Sequence, residues 1–231
     1  MFQAKIFTLY PDFFPGILKK GIYGRAMEKS LWSLDVINLR NYAEDKHKTV
    51  DDNVFGGGSG MLMKPDVVAK SLDSNINKGE KIFYLSPRGK KFNQNLANSL
   101  SKQNSINLIC GHFEGIDDRL LSTRNIQEIS IGDYILSGGE TAALVLLDSV
   151  LRLIPGVLGN KDSVKDETFE NSLLEYPQFT KPKIWEGKSV PDILFSGDHA
   201  KIKSWRLSQS EDITRRQRPD LWEKYLKDKK Q

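Results

Sequence analysis

Cysteine, histidine and long apolar runs are all scarce in this chain. Its 231 residues include one cysteine and three histidines, so an internal disulfide is excluded and no set of ligands is spaced for structural zinc. The longest apolar run covers residues 142–147, far fewer than the ~20 residues of a membrane-spanning helix. Two prolines and Asp12 interrupt the apolar core that an N-terminal secretory signal would need. The sequence therefore predicts a cytoplasmic protein that does not enter a membrane.

Charge is distributed unevenly along a composition that is otherwise typical of a folded protein, 39% hydrophobic and 28% charged. The formal net charge is +4, and residues 201–231 carry ten Lys and Arg against five Asp and Glu. Such a basic cluster favours binding to a phosphate backbone, because each neutralised phosphate releases condensed counterions. A solvated basic helix that keeps the protein soluble would explain the same charges equally well.

Short β-branched or aromatic segments alternate with longer segments of helical period, which is typical of an α/β domain with a mostly parallel sheet. The pattern predicts strands at residues 4–9, 34–39, 81–86, 106–110 and 127–131. It predicts helices at residues 24–30, 65–75, 93–102 and 117–122. A further helix at 140–154 is apolar on almost every side, so we expect it inside the domain or in a subunit interface.

The chain is predicted to form two domains. Residues 159–172 are mostly polar, and we interpret them as a mobile linker. This linker joins a first domain of residues 1–158 to a small, mainly helical domain of residues 173–231. In that second domain a helix is expected from about residue 198, and Pro219 fits the first turn of a last short helix.

Glycine-rich segments occur in two places. Residues 56–60 lack the Gly-Lys-Ser/Thr of a Walker loop and the spacing of a dinucleotide fingerprint, so they form either a flexible loop or one that a flat ligand approaches closely. Residues 131–140 run from a strand end into the apolar helix, and the strand ends at 84–87 and 110–115 have a similar composition. Ligands of open α/β sheets bind outside the carboxyl ends of strands, so these three ends could form one pocket, although each alone could be an ordinary turn.

Two isolated side chains have simple interpretations. His47 lies in the charged segment 45–52 and is interpreted as a surface residue or a phosphate contact, since nothing in the sequence orients it as a base. Cys110 ends an apolar strand and is expected to pack in the core.

Three charged side chains each have two interpretations. Arg152 follows Asp148 by four residues, which indicates either an intrahelical ion pair or a cation that stabilises negative charge in a site. Asp166 and Glu167 are either solvated carboxylates or a base on a loop that closes over a substrate.

Motifs in a fixed order run through almost the whole chain. They begin with the charged segment 45–52 and residues 56–58 and 60–63, and they continue through residues 84–87, 110–111, 114–117, 131–134, 138–140, 154–159, 176–177, 196–197 and 205–206. This ordered set resembles that of the bacterial tRNA (guanine-N1)-methyltransferases, which belong to the trefoil-knotted SPOUT class. The resemblance implies an α/β domain whose mostly parallel sheet contains a deep trefoil knot. It also implies a homodimer with each active site built from both subunits.

The activity that the resemblance implies is transfer of a methyl group from S-adenosyl-L-methionine to N1 of the guanine at tRNA position 37, 3′ of the anticodon. This modification supports maintenance of the reading frame. The implied partner is tRNA, with no role for DNA, and the implied metal is magnesium, for which no ligand set is identifiable here. The alternatives are a SPOUT methyltransferase of another RNA, such as ribosomal RNA, and a non-catalytic RNA-binding relative.

The resemblance also implies roles for individual residues. The base is an aspartate in an Asp-Ser-Phe sequence, where this chain has Asp166-Glu167-Thr168-Phe169; spacing favours Glu167 and residue type favours Asp166. Arg152 is implied to stabilise charge on O6 of the guanine. The implied donor-binding residues are Tyr84, Leu85, Ser86, Pro87, Gly111, Phe113, Glu114, Ile131, Gly132, Asp133, Tyr134, Ile135, Leu136, Gly138 and Gly139. The implied substrate contacts are His47, Asp51, Gly57, Gly58, Ser59, Lys201, Lys203, Arg206 and Arg215.

Overall fold

The computed structural model describes residues 1–159 and 172–229. Contacts between residues divide the chain into two compact units, Met1–Gly159 and Asn160–Gln231. No helix within the described ranges is long and apolar enough to cross a membrane.

A five-stranded parallel sheet organises the first unit. Its strands follow the order β2-β1-β6-β5-β7, and every pair of neighbours is parallel. The five strands predicted from the sequence are therefore confirmed, as is the α/β class. The described elements of this unit are β1 (Phe2–Thr8), α1 (Gly21–Glu28), β2 (Trp32–Asn38), β3 (Asp51–Asn53), β4 (Met61–Met63), α2 (Pro65–Asn75), β5 (Ile82–Lys91), α3 (Gln94–Ser101), β6 (Ser105–Cys110), α4 (Arg119–Thr123), β7 (Ile126–Ser130) and α5 (Gly139–Leu151).

Helices cover both faces of this sheet, because side chains alternate between the faces along each strand. Ile6 and Leu108 point to one face, where they pack in a core with residues of α1, α3 and α5. Phe7 and Ile109, one residue further along the same strands, point to the other face and pack with α2 and α4. The buried strands at the centre of the sheet thus explain the short apolar runs in the sequence.

Helix α5 lies in the core, as its apolar composition predicts. Leu146, Leu147 and Val150 are fully buried, whereas Val145 is 44% exposed. The helix begins after Gly138 and ends at Leu151, so Arg152 is its C-cap residue rather than part of the helix. This is three residues shorter at the C-terminal end than residues 140–154 predict.

Strand β5 is longer than the predicted residues 81–86, because it continues past Pro87 to Lys91. Its pairing with β7 shifts register between Leu85 and Lys90. Pro87 has no N–H to donate to a neighbouring strand, and a side chain on Gly89 would collide with the backbone at Ile129. The strand end that we predict at residue 86 is therefore an irregular stretch inside a longer strand.

The last two residues of the charged segment 45–52 are in a strand rather than in a loop. Asp51 and Asp52 begin a small antiparallel hairpin, in which β3 pairs with β4. The hairpin is hard to recognise in the sequence because each strand has only three residues and β3 is made of charged and polar ones.

The second unit is mainly helical in its described part. Its elements are the hairpin strands β8 (Ile184–Trp185) and β9 (Lys188–Ser189), the helix α6 (His199–Gln217) and the helix α7 (Pro219–Asp228). Asp198 caps α6 by accepting a hydrogen bond from the backbone N–H of Lys201 at 3.1 Å. The Tyr225 hydroxyl of α7 donates to Glu211 of α6 at 2.7 Å. Both helices begin where the sequence predicts them.

Candidate active site

Three segments of the first unit converge on one pocket beside the carboxyl-terminal parts of β5, β6 and β7. The pocket has a volume of about 520 Å³, and its lining comes from residues 84–88, 111–116, 129–132 and 134–139, together with Leu62, Asp118 and Ala142. The three segments that the sequence singles out thus form one site, although residues 84–88 lie inside β5 rather than at its end. Parallel strands place their carboxyl ends at the same edge of a sheet, which is why segments far apart in sequence meet there.

Glycines allow two of these loops to touch. The backbone N–H of Gly139 donates to the carbonyl oxygen of Gly111 at 3.0 Å. A Cβ on Gly139 would lie 2.6 Å from the Cα of Cys110, and one on Gly111 would lie 2.6 Å from the Tyr84 ring. Because no side chain fits at either position, glycine is required for the loops to approach this closely.

The β3–β4 hairpin is attached to the same site. Its Met61 carbonyl accepts from the N–H of Glu114 at 2.9 Å, and its Met63 N–H donates to the carbonyl of Gly115 at 2.9 Å. These bonds place the glycine-rich loop 54–60 beside the pocket. Within that loop the glycine backbones have positive φ angles and Phe55 is 94% exposed.

The pocket wall includes a buried phenol and a paired cation. Burial raises the pKa of Tyr84, so its hydroxyl stays protonated near neutral pH. Arg88 bonds to Asp118 at 3.1 Å and to Glu128 at 3.2 Å. Its charge is thus already shared by two carboxylates at the rim.

Sequence reasoning missed a buried polar cluster at the start of α5. The Glu140 carboxylate lies 2.7 and 2.9 Å from Nε2 of His112 and accepts from the Thr8 hydroxyl at 2.5 Å. Thr8 is fully buried and Glu140 is 2% exposed. The signal that could have revealed this cluster is an acidic residue, Glu140, at the start of a helix that is mostly apolar.

Most of the predicted donor-binding residues line the pocket, but Asp133 does not. Its carboxylate, 85% exposed, pairs with Nζ of Lys91 at 2.9 Å. An ionised group next to an exposed cation is more stable in water than in the pocket wall, so the Asp133 carboxylate lies outside the pocket, whereas residues 131, 132 and 134–139 line it.

Arg152 lies far from the pocket within one chain. It caps the C-terminal end of α5, whereas Gly139 at the other end of the same helix lines the pocket. Thirteen helical residues span about 20 Å. Near Arg152, burial raises the pKa of Tyr23, the hydrogen bond that Tyr23 donates to Asp148 raises it further, and the Arg152 charge lowers it.

His47 lies in an exposed turn that is organised by Asp45. The Asp45 carboxylate accepts from the backbone N–H of His47 at 2.9 Å and from the hydroxyl of Thr49 at 2.9 Å. The bond from Thr49 holds the pKa of Asp45 below its usual value. The two candidates for the base, Asp166 and Glu167, lie outside the described residues.

The second unit contains a separate groove of about 960 Å³ lined by aromatic, apolar and cationic side chains. The Arg206 guanidinium lies 4.7 Å from the centre of the Tyr176 ring, and the rings of Phe179 and Trp205 are 6.4 Å apart. The predicted contacts on α6, all exposed, are Lys201, Lys203, Arg206 and Arg215.

Comparison with known proteins decides the family. Residues 2–224 match the family model described as tRNA (Guanine-1)-methyltransferase TrmD. The chain belongs to this family. It is 72% identical to the tRNA (guanine-N(1)-)-methyltransferase of Pelagibacter ubique (strain HTCC1062) over 227 residues, which cover 98% of this chain and 100% of the relative.

Two more distant relatives carry the same description. The protein of Brucella canis (strain ATCC 23365 / NCTC 10854 / RM-666) is 52% identical over 99% of this chain and 93% of its own length. That of Brucella ovis (strain ATCC 25840 / 63/290 / NCTC 10512) is 51% identical over 99% of this chain and 95% of its own length. The family that the motifs predict is confirmed.

Proposed function

We propose that this chain is an enzyme that transfers a methyl group from S-adenosyl-L-methionine to N1 of the guanine at tRNA position 37, 3′ of the anticodon. The observation that carries the proposal is the family match over residues 2–224, with relatives that are named as tRNA (guanine-N(1)-)-methyltransferases. The modified base would support maintenance of the reading frame, so the enzyme would act in the cytoplasm on tRNA and not on DNA.

The pocket of the first unit fits the methyl donor in size and chemistry. Ligands of this size occupy clefts of roughly 300–1,000 Å³, and the pocket measures about 520 Å³. Its walls combine apolar side chains, such as Leu85 and Ile131, with the backbone N–H and C=O groups of glycine-rich loops. When bound, S-adenosyl-L-methionine supplies a methyl group whose bond to sulfur breaks as the bond to N1 forms. We propose that the donor-binding residues predicted from the sequence contact S-adenosyl-L-methionine, with the exception of Asp133, which does not line the pocket.

The same loops are the proposed location of the trefoil knot. The backbone contact between Gly111 and Gly139 and the strand order β6-β5-β7 support a crossing of the chain at this point. Because threaded chains are very rare, the family relationship is the main support for this part of the proposal.

Proton removal is the step for which the chain must supply a base. N1 of guanine carries a proton and is a poor nucleophile until that proton leaves. We assign this role to the carboxylate of Asp166 or Glu167, which takes the proton from N1. The negative charge that develops on O6 is then stabilised by the guanidinium of Arg152.

A second copy of the chain is needed to complete the site. Arg152 and the pocket lie at opposite ends of α5, about 20 Å apart, so one subunit does not bring them together. In a homodimer, Arg152 of one subunit can meet the pocket of the other. Exposed apolar side chains beside the pocket support such an interface, because Ile135 is 82%, Tyr134 53% and Phe113 48% exposed.

The second unit is the proposed tRNA-binding surface. Exposed cations on α6 suit phosphates, and the aromatic groove beside them suits unstacked bases. In the first unit, the proposed RNA contacts lie in the turn around His47 and in the β3–β4 hairpin. They are His47, Asp51, Gly57, Gly58 and Ser59.

The described residues offer no cluster to which magnesium can be assigned. No group of three or more His, Cys, Asp or Glu within residues 1–159 and 172–229 could hold a metal ion. We therefore derive no step through magnesium, and its requirement stays a prediction from the family.

The test is transfer of labelled methyl from S-adenosyl-L-methionine to a tRNA transcript with guanine at position 37. Wild type is compared with Asp166→Asn and Glu167→Gln, and a transcript in which that guanine is replaced is the control. We expect wild type to label only the first transcript. The variant that lacks the base should lose at least 100-fold in kcat, while the other stays close to wild type.

Three outcomes would contradict the proposal in different ways. Labelling of ribosomal RNA instead of tRNA would indicate another substrate class. Binding of the donor without turnover on any RNA would indicate a non-catalytic relative. Full activity of both variants would leave the reaction intact but show that neither carboxylate is the base.

A further inference from the structure

A carboxylate is buried beside the donor pocket and has no role in the reaction proposed above. Glu140 is the second residue of α5, and its side chain is 3% exposed. Burial of an ionised group is costly unless hydrogen bonds replace the lost water. Glu140 follows Gly139, which lines the pocket, so its buried carboxylate must be stabilised by neighbouring hydrogen-bond donors.

Those partners come from two other segments of the chain. The Thr8 hydroxyl, at the end of β1, donates to Oε1 of Glu140 at 2.5 Å. Nε2 of His112, just after β6, lies 2.9 Å from Oε1 and 2.7 Å from Oε2. An ionised carboxylate only accepts hydrogen bonds, so a bond to ionised Glu140 requires the His112 tautomer that carries the hydrogen on Nε2.

The cluster ties together the loops that form the pocket. His112 lies between Gly111 and Phe113, and Glu140 follows Gly139; all of these except Glu140 line the pocket. The His112 ring also contacts two aromatic rings, that of Tyr10 at 4.8 Å and that of Phe113 at 6.2 Å between ring centres. A Cβ on Gly138 would collide with the His112 ring and lie 2.7 Å from Oε2 of Glu140. Glycine at 138 is thus what lets the histidine reach the carboxylate.

The loop that His112 belongs to is held in a strained shape. Phe113, which is not a glycine, has φ of +58°, and Gly115 has φ of +111°. A bulky residue persists in the left-handed region only when its surroundings hold it there. The bond from His112 to Glu140 is one of the contacts that hold this loop, together with the backbone hydrogen bonds from Glu114 to Met61 and from Met63 to Gly115.

We propose that Glu140 and His112 are positioning residues, whose hydrogen bond holds residues 111–115 and 138–139 at the spacing that the methyl donor requires. The inference rests on the proposed function of the pocket. It concerns binding of S-adenosyl-L-methionine and not of tRNA, because the cluster joins two loops of the donor pocket and its carboxylate is buried behind the pocket lining. Loss of the bond should weaken donor binding selectively.

The experiment replaces His112 in the full-length protein and measures both substrates separately. His112→Leu removes the donor nitrogen at similar volume, whereas His112→Gln keeps an N–H at the place of Nε2. We expect His112→Leu to raise the Kd for S-adenosyl-L-methionine about tenfold, the size of a lost hydrogen bond to a charged group. His112→Gln should stay within threefold of wild type, and the KM for tRNA should stay within twofold in both.

A variant of the Glu140 carboxylate and a control variant complete the design. Glu140→Gln should raise the Kd for the donor about threefold, since it keeps one accepting oxygen for Thr8, and it serves as the test should His112→Leu fail to fold. Asp73→Asn is the control, because it breaks an ion pair with Arg124 at 2.7 Å that lies outside the pocket lining.

The outcomes separate this inference from the function on which it rests. Wild-type donor affinity in His112→Leu, or equal weakening by His112→Leu and His112→Gln, would overturn the positioning role alone. Failure of the wild-type protein to bind S-adenosyl-L-methionine would overturn the proposed function and this inference together.

Discussion

Two glycine-rich segments of the first unit use glycine for different reasons. In residues 131–139 the glycines that meet the neighbouring loop are crowded, and a Cβ on Gly139 would lie 2.6 Å from the Cα of Cys110. In the β3–β4 hairpin, a Cβ on Gly57 or Gly58 would meet no atom within 4 Å. There the backbone itself requires glycine, because φ is +80° at Gly57 and +128° at Gly58.

The difference indicates which part of the site is rigid and which is open. Crowded glycines let two backbones pack together, so they fix the dimensions of the pocket that we propose for the methyl donor. Open glycines leave the backbone of residues 56–58 uncovered by side chains, next to the exposed ring of Phe55, which suits the RNA contact proposed for this loop. Similar composition in the sequence thus corresponds to two different structural roles of glycine.

The largest effect is expected for Gly139→Ala. The added methyl group overlaps backbone that has no room to move, and overpacking of this kind costs about 1–3 kcal/mol of folding stability. Displacement of the loop should also weaken donor binding, and a shift of about 1 Å should lower kcat about 100-fold. Calorimetric titration with S-adenosyl-L-methionine checks this, and an unchanged Kd would show that the loops are not in fixed contact.

A smaller effect is expected for Gly58→Ala. The alanine meets no neighbour, but its backbone is forced into a left-handed conformation that costs about 1–2 kcal/mol. We expect the Tm to fall by roughly 2–8 °C, the KM for tRNA to rise, and the Kd for the methyl donor to stay within twofold. A loss of donor affinity as large as that of Gly139→Ala would remove the distinction between the two segments.

The smallest effect on activity is expected for Gly79→Ala. Gly79 also has a positive φ, +95°, and a Cβ there would meet no atom within 4 Å, but the residue is not in the pocket lining or the hairpin. The stability cost should equal that of Gly58→Ala, with kcat and both KM values unchanged. Melting curves and steady-state assays on the two variants separate backbone strain from contact with RNA.

Much of the fold follows from the sequence, because strand and helix patterns are local. All five strands of the sheet are where alternating and apolar runs place them, and α2 has the predicted bounds Pro65–Asn75. Pro65 at its first turn marks the start of that helix. The convergence of three strand ends also follows, since it needs only parallel strands and their glycine-rich ends.

The contacts that cross the chain do not follow from the sequence. Glu140 bonds to His112, 28 residues away, and to Thr8, 132 residues away, and no local pattern links these positions. The outward turn of Asp133 depends on Lys91, which lies on the far part of β5. The distance between Arg152 and the pocket becomes evident only when α5 is placed with Gly139 at one end.

The most direct test of the central claim is the identity and position of the methylated nucleoside. A tRNA transcript is incubated with the wild-type protein and S-adenosyl-L-methionine, digested with a base-specific nuclease, and the fragments are analysed by mass spectrometry. We expect 1-methylguanosine at the guanine 3′ of the anticodon. A methyl group at another nucleoside, or unmodified tRNA from a protein that binds the donor, would contradict the central claim.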